Sequence, residues 1–199
     1  MQALRNQSVT GLVVLALVMA CQRDPGRDVK PMTRTASTSV PTEIIPLDKV
    51  SKSQAAILGQ RVANTELTVT YSRPVARGRT LFGGIVPYDA VWNPGADQAT
   101  ALSFTRDVDI NGHHLAAGKY SIWMLPRQGR WTVIFSKAGD VYHTPYPGEA
   151  RDALRFDVEP RTGPQTEVLT FEFDSVEGKE AELVMRWGTV VVPLSIRVP

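Results

Sequence analysis

From Leu67 to Ser72 apolar side chains alternate with hydroxylated ones, Leu67, Val69 and Tyr71 against Thr68, Thr70 and Ser72. A period of two belongs to a strand with one buried and one wet face. Pro74 closes the segment, because proline cannot donate into a ladder. The period returns in ATALSF (99–104), where Ala99 and Ala101 lie on one face and Leu102 and Phe104 on the other, and RDVDI (106–110) follows. It returns again at Tyr120, Ile122 and Met124 against Ser121, Trp123 and Leu125, and at Trp131, Val133 and Phe135. Asn111-Gly112 is a hairpin signal, since both residues tolerate positive φ, and Gln128-Gly129 marks a second hairpin. Further on, Leu169, Phe171 and Phe173 oppose Thr170, Glu172 and Asp174, and Leu183, Met185 and Trp187 form another stripe. Pro193 interrupts the last run, which argues for a sheet edge or a bulge. Short strands, frequent turns and no long amphipathic helix predict an all-β antiparallel sandwich of about eight strands in one domain.

The N-terminus reads differently. Arg5 precedes GLVVLALVMA (11–20), an apolar run of secretory length that is short for a membrane span, and Cys21 follows Ala20 directly. The junction resembles a bacterial lipoprotein signal. Residues 1–20 are then a signal peptide, and Cys21 carries the lipid that anchors the protein to a membrane of the cell envelope, on its periplasmic or outer-surface side. Residues 21–58, rich in Pro, Ser, Thr and Arg at their start, read as a tether, with the folded domain at 59–199. Cys21 is the single cysteine. A mature chain so anchored has neither an intramolecular disulfide nor a catalytic thiol.

Charge and motifs narrow the chemistry. A formal net charge of +2, spread along 199 residues, is too small for an electrostatic nucleic-acid binder. No nucleophile elbow, phosphate-binding loop, HExxH or dinucleotide fingerprint occurs, so no catalytic residue and no cofactor is assigned. His113 and His114 are adjacent on a strand-like segment and point to opposite faces, which disfavours joint metal ligation. DVDING (107–112) matches the first half of a calcium loop, but the twelfth position is Gly118 where a bidentate Glu is needed. An Asn-Gly hairpin accounts for the same residues, and no metal site is assigned. Asp89, Asp97, Asp140 and Glu149 supply carboxylates for a glycosidase-like pair only if the fold brings two of them together.

The remaining candidate is PYDAVWNPGAD (87–97). Tyr88 and Trp92 offer flat apolar area with a polar handle, Asn93 and Asp97 can hydrogen-bond hydroxyls or amides, and Pro87, Pro94 and Gly95 restrict the loop. Arg79 joins them as a ligand contact or as the partner of Asp89 or Asp97, and His143 as a rim residue from the Tyr/Pro-rich stretch 137–152. The competing reading of the same residues is structural, with Trp92 packed into the end of the core and Asn93 and Asp97 capping backbone groups.

Four motifs occur together: the FG-x-(I/L)VPY-x-x-VW pattern in the run from Phe82, GA-(N/D)-x-AT at 95–100, AG-x-YS at 117–121 and WTVI(F/L) at 131–135. From about residue 62 to residue 198 the chain resembles the domain-of-unknown-function family 2911, many of whose members are similar secreted or lipid-anchored proteins. The resemblance implies a β-sandwich and transfers no activity. The family pattern usually has Arg after the Trp and Asn at the position of Asp97; this chain has Asn93 and Asp97, so the charge there differs. Three function classes follow. The first is an envelope accessory or binding module for a small polar, glycan or peptide ligand. The second is a structural or protein-interaction domain without a small-molecule ligand, an envelope protein being its candidate partner, and the third a hydrolase with a loop-rim His/Asp site.

Overall fold

The computed structural model describes residues 52–199; Cys21, the expected signal segment and most of the expected tether lie outside them. Among the described residues ten strands form two antiparallel sheets. They are β1 (Gln54–Val62), β2 (Thr65–Arg73), β3 (Ala101–Phe104), β4 (Val108–Ile110), β5 (His113–Leu115), β6 (Gly118–Leu125), β7 (Trp131–Ser136), β8 (Asp152–Val158), β9 (Arg161–Glu177) and β10 (Glu180–Arg197). One sheet has the order β1-β2-β3-β6-β7-β8, the other β5-β4-β10-β9. The expected all-β sandwich is therefore present, with ten strands in place of about eight.

The period-two stripes face the core as read: Leu67, Val69 and Tyr71 of β2, Ile122 and Met124 of β6, Val133 and Phe135 of β7, and Leu183 and Met185 of β10 belong to one buried cluster. Asn111 and Gly112 turn β4 into β5 at φ of 49° and 81°. The segments expected as two strands before and after Gly188 form the single strand β10, with register shifts on either side of Gly188. Pro193 lies neither at an edge nor in a bulge. It sits between the last β9 pair at Val191 and the first β4 pair at Ile196, where β10 passes from one neighbour to the other, so its missing N–H interrupts no strand pair.

The folded domain starts earlier than residue 59. Residues 54–58 of the expected tether pair with β2 from Gln54↔Arg73 through Leu58↔Val69. Their apolar pattern conceals the strand, because Ala55 and Ile57 point outward and Ile57 is 77% exposed.

Both faces of β7 are buried, unlike the half-wet strand that alternation predicts. On the outer face of the sheet Trp123, Ile134 and Ala99 form a second cluster covered by Val91, Val141 and Tyr146. The Nε1–H of Trp123 donates to Ser121 Oγ at 2.8 Å, so the indole is buried with its polar atom satisfied. Stretch 137–152 thus roofs a sheet face, held by Ala99 N–H to the Val141 carbonyl at 2.9 Å and by an isolated bridge between Gln98 and Tyr142. Burying such large apolar side chains is worth about 1.5–3 kcal/mol each, which is what the roof supplies.

Candidate functional site

Loop 79–92 folds on itself at one end of the sandwich. Gly84 N–H and Val86 N–H both donate to the Leu81 carbonyl, Gly83 N–H to that of Val86, and Ile85 N–H to that of Thr80. Gly83 has φ of 82°, and a Cβ built on it would lie 2.7 Å from Tyr88 Cε2. The absent side chain is what lets the Tyr88 ring rest on the loop backbone. The tight turn drives Phe82 toward the core, where its ring centroid lies 4.8 Å from Trp131, 5.9 Å from Trp92 and 6.2 Å from Trp187, in each case edge to face. Trp92 and Trp187 stack at 6.0 Å. Such pairs add about 0.5–1.5 kcal/mol beyond area burial, so the cluster is a rigid aromatic floor.

Two hollows lie against this floor and share Phe82, Tyr88 and Val190. The larger, about 430 Å³, is lined by Trp131, Gln128, Arg127, Arg130, Glu159 and Arg161 besides the shared residues. Each of its three arginines has an acidic neighbour: Arg127 Nε lies 3.5 Å from Asp89, Arg130 Nη2 2.8 Å from Glu159, and Arg161 meets Glu182 in a fork of 2.9 and 3.0 Å. Glu159 raises the pKa of Arg130, and Glu182 that of Arg161, through hydrogen bonding and charge. The smaller hollow, about 320 Å³, contains Arg79, Gln165 and Thr189. Arg79 pairs with neither Asp89 nor Asp97. Its Nε–H donates to the Ala76 carbonyl at 2.9 Å and its Nη2 to the Val75 carbonyl at 2.6 Å.

The six residues singled out in the sequence therefore separate. Arg79 and Tyr88 line the end hollows, and Trp92 lies in the aromatic cluster that Phe82 joins to them. Asn93 is a correction to the picture of a ligand-facing amide. It is 1% exposed, its Nδ2 donates to the Ile122 carbonyl at 2.7 Å and its Oδ1 accepts from Thr100 N–H at 3.1 Å. Asp97 caps no backbone group through its side chain. It is an exposed turn residue with φ of 56° and lines a separate apolar cavity beside Ile57. His143 stands beside Asp97, its Nδ1–H donating to the Asp97 carbonyl at 2.9 Å, and its own N–H does the same.

The other acids and histidines have separate partners: Asp89 with Arg127, Asp140 with Lys119, Glu149 with Arg155. His114 lies 3.6 Å from Asp107 and 3.5 Å from Asp109, whereas His113 stacks on Phe156. Strand alternation separates the two imidazoles as read, and among the described residues no group of three or more His, Cys, Asp or Glu is arranged to hold a metal ion.

Phe82, Arg127, Arg130, Trp131, Glu159 and Arg161 were not among the candidate site residues in the sequence. The signal for two of them was present in PRQGR (126–130), a turn with an arginine on either side of Gln-Gly. Glu159 and Arg161 join only because the β8–β9 turn folds over the same end.

The model of a family described as "Protein of unknown function (DUF2911)" matches residues 53–196. No curated protein and no solved structure matches the chain.

Proposed function

Because the chain belongs to the DUF2911 family, whose description supplies no activity, we propose its role from the end of the sandwich: it is a cell-envelope binding module that holds a glycan against the Phe82–Tyr88 ridge. The observation that carries the reading is the larger hollow, where an aromatic floor meets the Arg130–Glu159 pair at 2.8 Å and Arg161, which Glu182 holds from outside the lining at 2.9 and 3.0 Å. A sugar ring has an apolar face and a rim of hydroxyls that both donate and accept. The aromatic rings meet the first, while paired guanidinium and carboxylate groups meet the second, each pair already oriented by its partner. Lipid attachment at Cys21 belongs to the same proposal, since it would hold the module at the envelope.

The test is titration of the whole protein with a panel of neutral and acidic trisaccharides, followed by tryptophan fluorescence, because Trp131 lines the hollow. A saturable change that Tyr88→Ala abolishes without lowering the melting temperature supports the reading. No saturable change with any member overturns it.

A second reading rests on β1. It is the edge of its sheet, and Gln54 to Gln60 contains no charge and no proline, the usual devices that blunt an edge. With Ile57 77% exposed, this edge suits a protein-interaction domain that accepts an added strand. Ile57→Lys would then abolish retention by an envelope-protein partner and leave trisaccharide binding intact.

A further inference from the structure

The smaller hollow differs from the larger in how its arginine is partnered. Its lining contains Arg79 and no Asp or Glu, and among the described residues Arg79 has no carboxylate within salt-bridge distance. The arginine is held nonetheless. A guanidinium carries five N–H groups in a plane. The Val75 and Ala76 carbonyls take the Nε–H and one Nη2–H, which together form one edge of the plane. The edge formed by Nη1–H and the second Nη2–H is left, and two parallel N–H groups at that spacing match the two oxygens of a carboxylate. Both ordering bonds go to neutral carbonyls, so the full positive charge of Arg79 is kept for whatever enters the hollow. Gln165 and Thr189 offer uncharged polar groups alongside it.

We infer that the ligand is an acidic oligosaccharide: one unit carries a carboxylate that Arg79 receives end-on, and the neighbouring unit lies across the Phe82–Tyr88 ridge in the hollow whose arginines each have an acidic neighbour. The inference rests on the binding reading above and sharpens it in two respects, charge and length. The two hollows meet at Phe82, Tyr88 and Val190, so a ligand of two or more units occupies both, whereas a single sugar fills only one.

Trigalacturonate and its fully methyl-esterified form share a carbohydrate skeleton and differ in charge, which makes them the matched probes. With the intact protein in low salt, calorimetric titration is expected to give the acid an affinity at least tenfold above that of the ester. Raising the salt should shrink that difference, as it does for an exposed ion pair. Arg79→Gln should abolish the preference, bringing the ratio of acid to ester affinity to about one. Arg79→Lys keeps the charge but not the fork, and should recover only part of the preference.

Equal affinity of acid and ester for the wild-type protein, with both lost in Tyr88→Ala, overturns the acidic subsite and leaves the binding module standing. Binding of neither probe at 10 mM, roughly the weakest affinity of use, overturns both. Since Arg79→Gln also removes two bonds to the loop backbone, its melting temperature is measured in parallel. If it melts early, the wild-type comparison of acid with ester decides alone. Galacturonic acid monomer binding as tightly as the trimer would sink the two-hollow part.

Discussion

Asn93 stands in for a piece of main chain: its Nδ2 donates to the Ile122 carbonyl at 2.7 Å. Trp92 bonds Met124 on one side of this point and the Thr100 carbonyl accepts from Ile122 N–H on the other. Residues 94–99 leave the sheet between them, and the Asn93 side chain fills the gap in the ladder, its Oδ1 taking Thr100 N–H at 3.1 Å. Asn93→Ala should therefore cost about 1–3 kcal/mol, because it strands a buried N–H and a carbonyl. At roughly 2–4 °C per kcal/mol for a chain of this length, the melting temperature should fall visibly. Asp97→Asn, at an exposed left-handed position that Asn also tolerates, should stay within about 0.5 kcal/mol of wild type. Thermal melts of the two variants beside wild type check the contrast, and a stable Asn93→Ala would refute the ladder role.

The turn under Tyr88 depends on a missing side chain. A Cβ on Gly84 would lie 2.1 Å from the Thr80 carbonyl oxygen, a backbone atom that cannot swing away. Gly84→Ala should cost about 1–3 kcal/mol through this overlap and open loop 79–92 to proteolysis. Gly59→Ala is the control, since nothing lies within 4 Å of its Cβ position in β1. There the change should be neutral or gain roughly 0.5–1 kcal/mol by restricting the unfolded chain.

Alkaline pH should act through Tyr146. Burial and a hydrogen bond to Asp152 push its pKa up from 10.0 to about 12, with Arg155 partly opposing. The folded protein then holds the phenolic proton more tightly than the unfolded chain does. Stability from this source is complete below pH 10 and is lost as the pH rises through 12. Denaturant melts between those limits should show a decline that Tyr146→Phe flattens, and ultraviolet titration of the five tyrosines should lose its latest step in the same variant. An unchanged late step would assign it to another tyrosine.

Truncation tests where the domain begins. A fragment from Val50 keeps all of β1 and should unfold cooperatively, close to the full chain. A fragment from Gly59 loses the pairs from Gln54↔Arg73 to Leu58↔Val69, together with the core contacts of Ala56 and Leu58. It should be weaker by about 2 kcal/mol or more, the scale of losing an aliphatic side chain from a core. On the proposed lipid attachment at Cys21, delivery would be separable from folding: Cys21→Ala should abolish metabolic labelling with fatty acid and leave the melting temperature of the domain unchanged. Equal label on both proteins would rule the anchor out.

The sequence alone determined what depends on neighbours along the chain. Alternation at Leu67–Tyr71 identified a strand and its buried face and alternation at Tyr120–Met124 a strand, because side-chain direction in a strand is fixed by residue parity. The Asn111-Gly112 turn was legible because its backbone dihedrals are a local preference. Tertiary structure decided the rest. Which residues of loop 79–97 face a ligand depended on whether its polar atoms meet solvent or a strand, and Asn93 found Ile122 across a separation of 29 residues. β1 escaped the pattern because the outward face of an edge strand need not be polar, so Ala55 and Ile57 hid its period. The end hollows are a matter of long-range packing: Arg79 lines one of them and Arg130 and Arg161 the other only when three turns distant in sequence fold against one aromatic cluster, and although PRQGR marks a turn flanked by arginines, no local preference encodes that meeting.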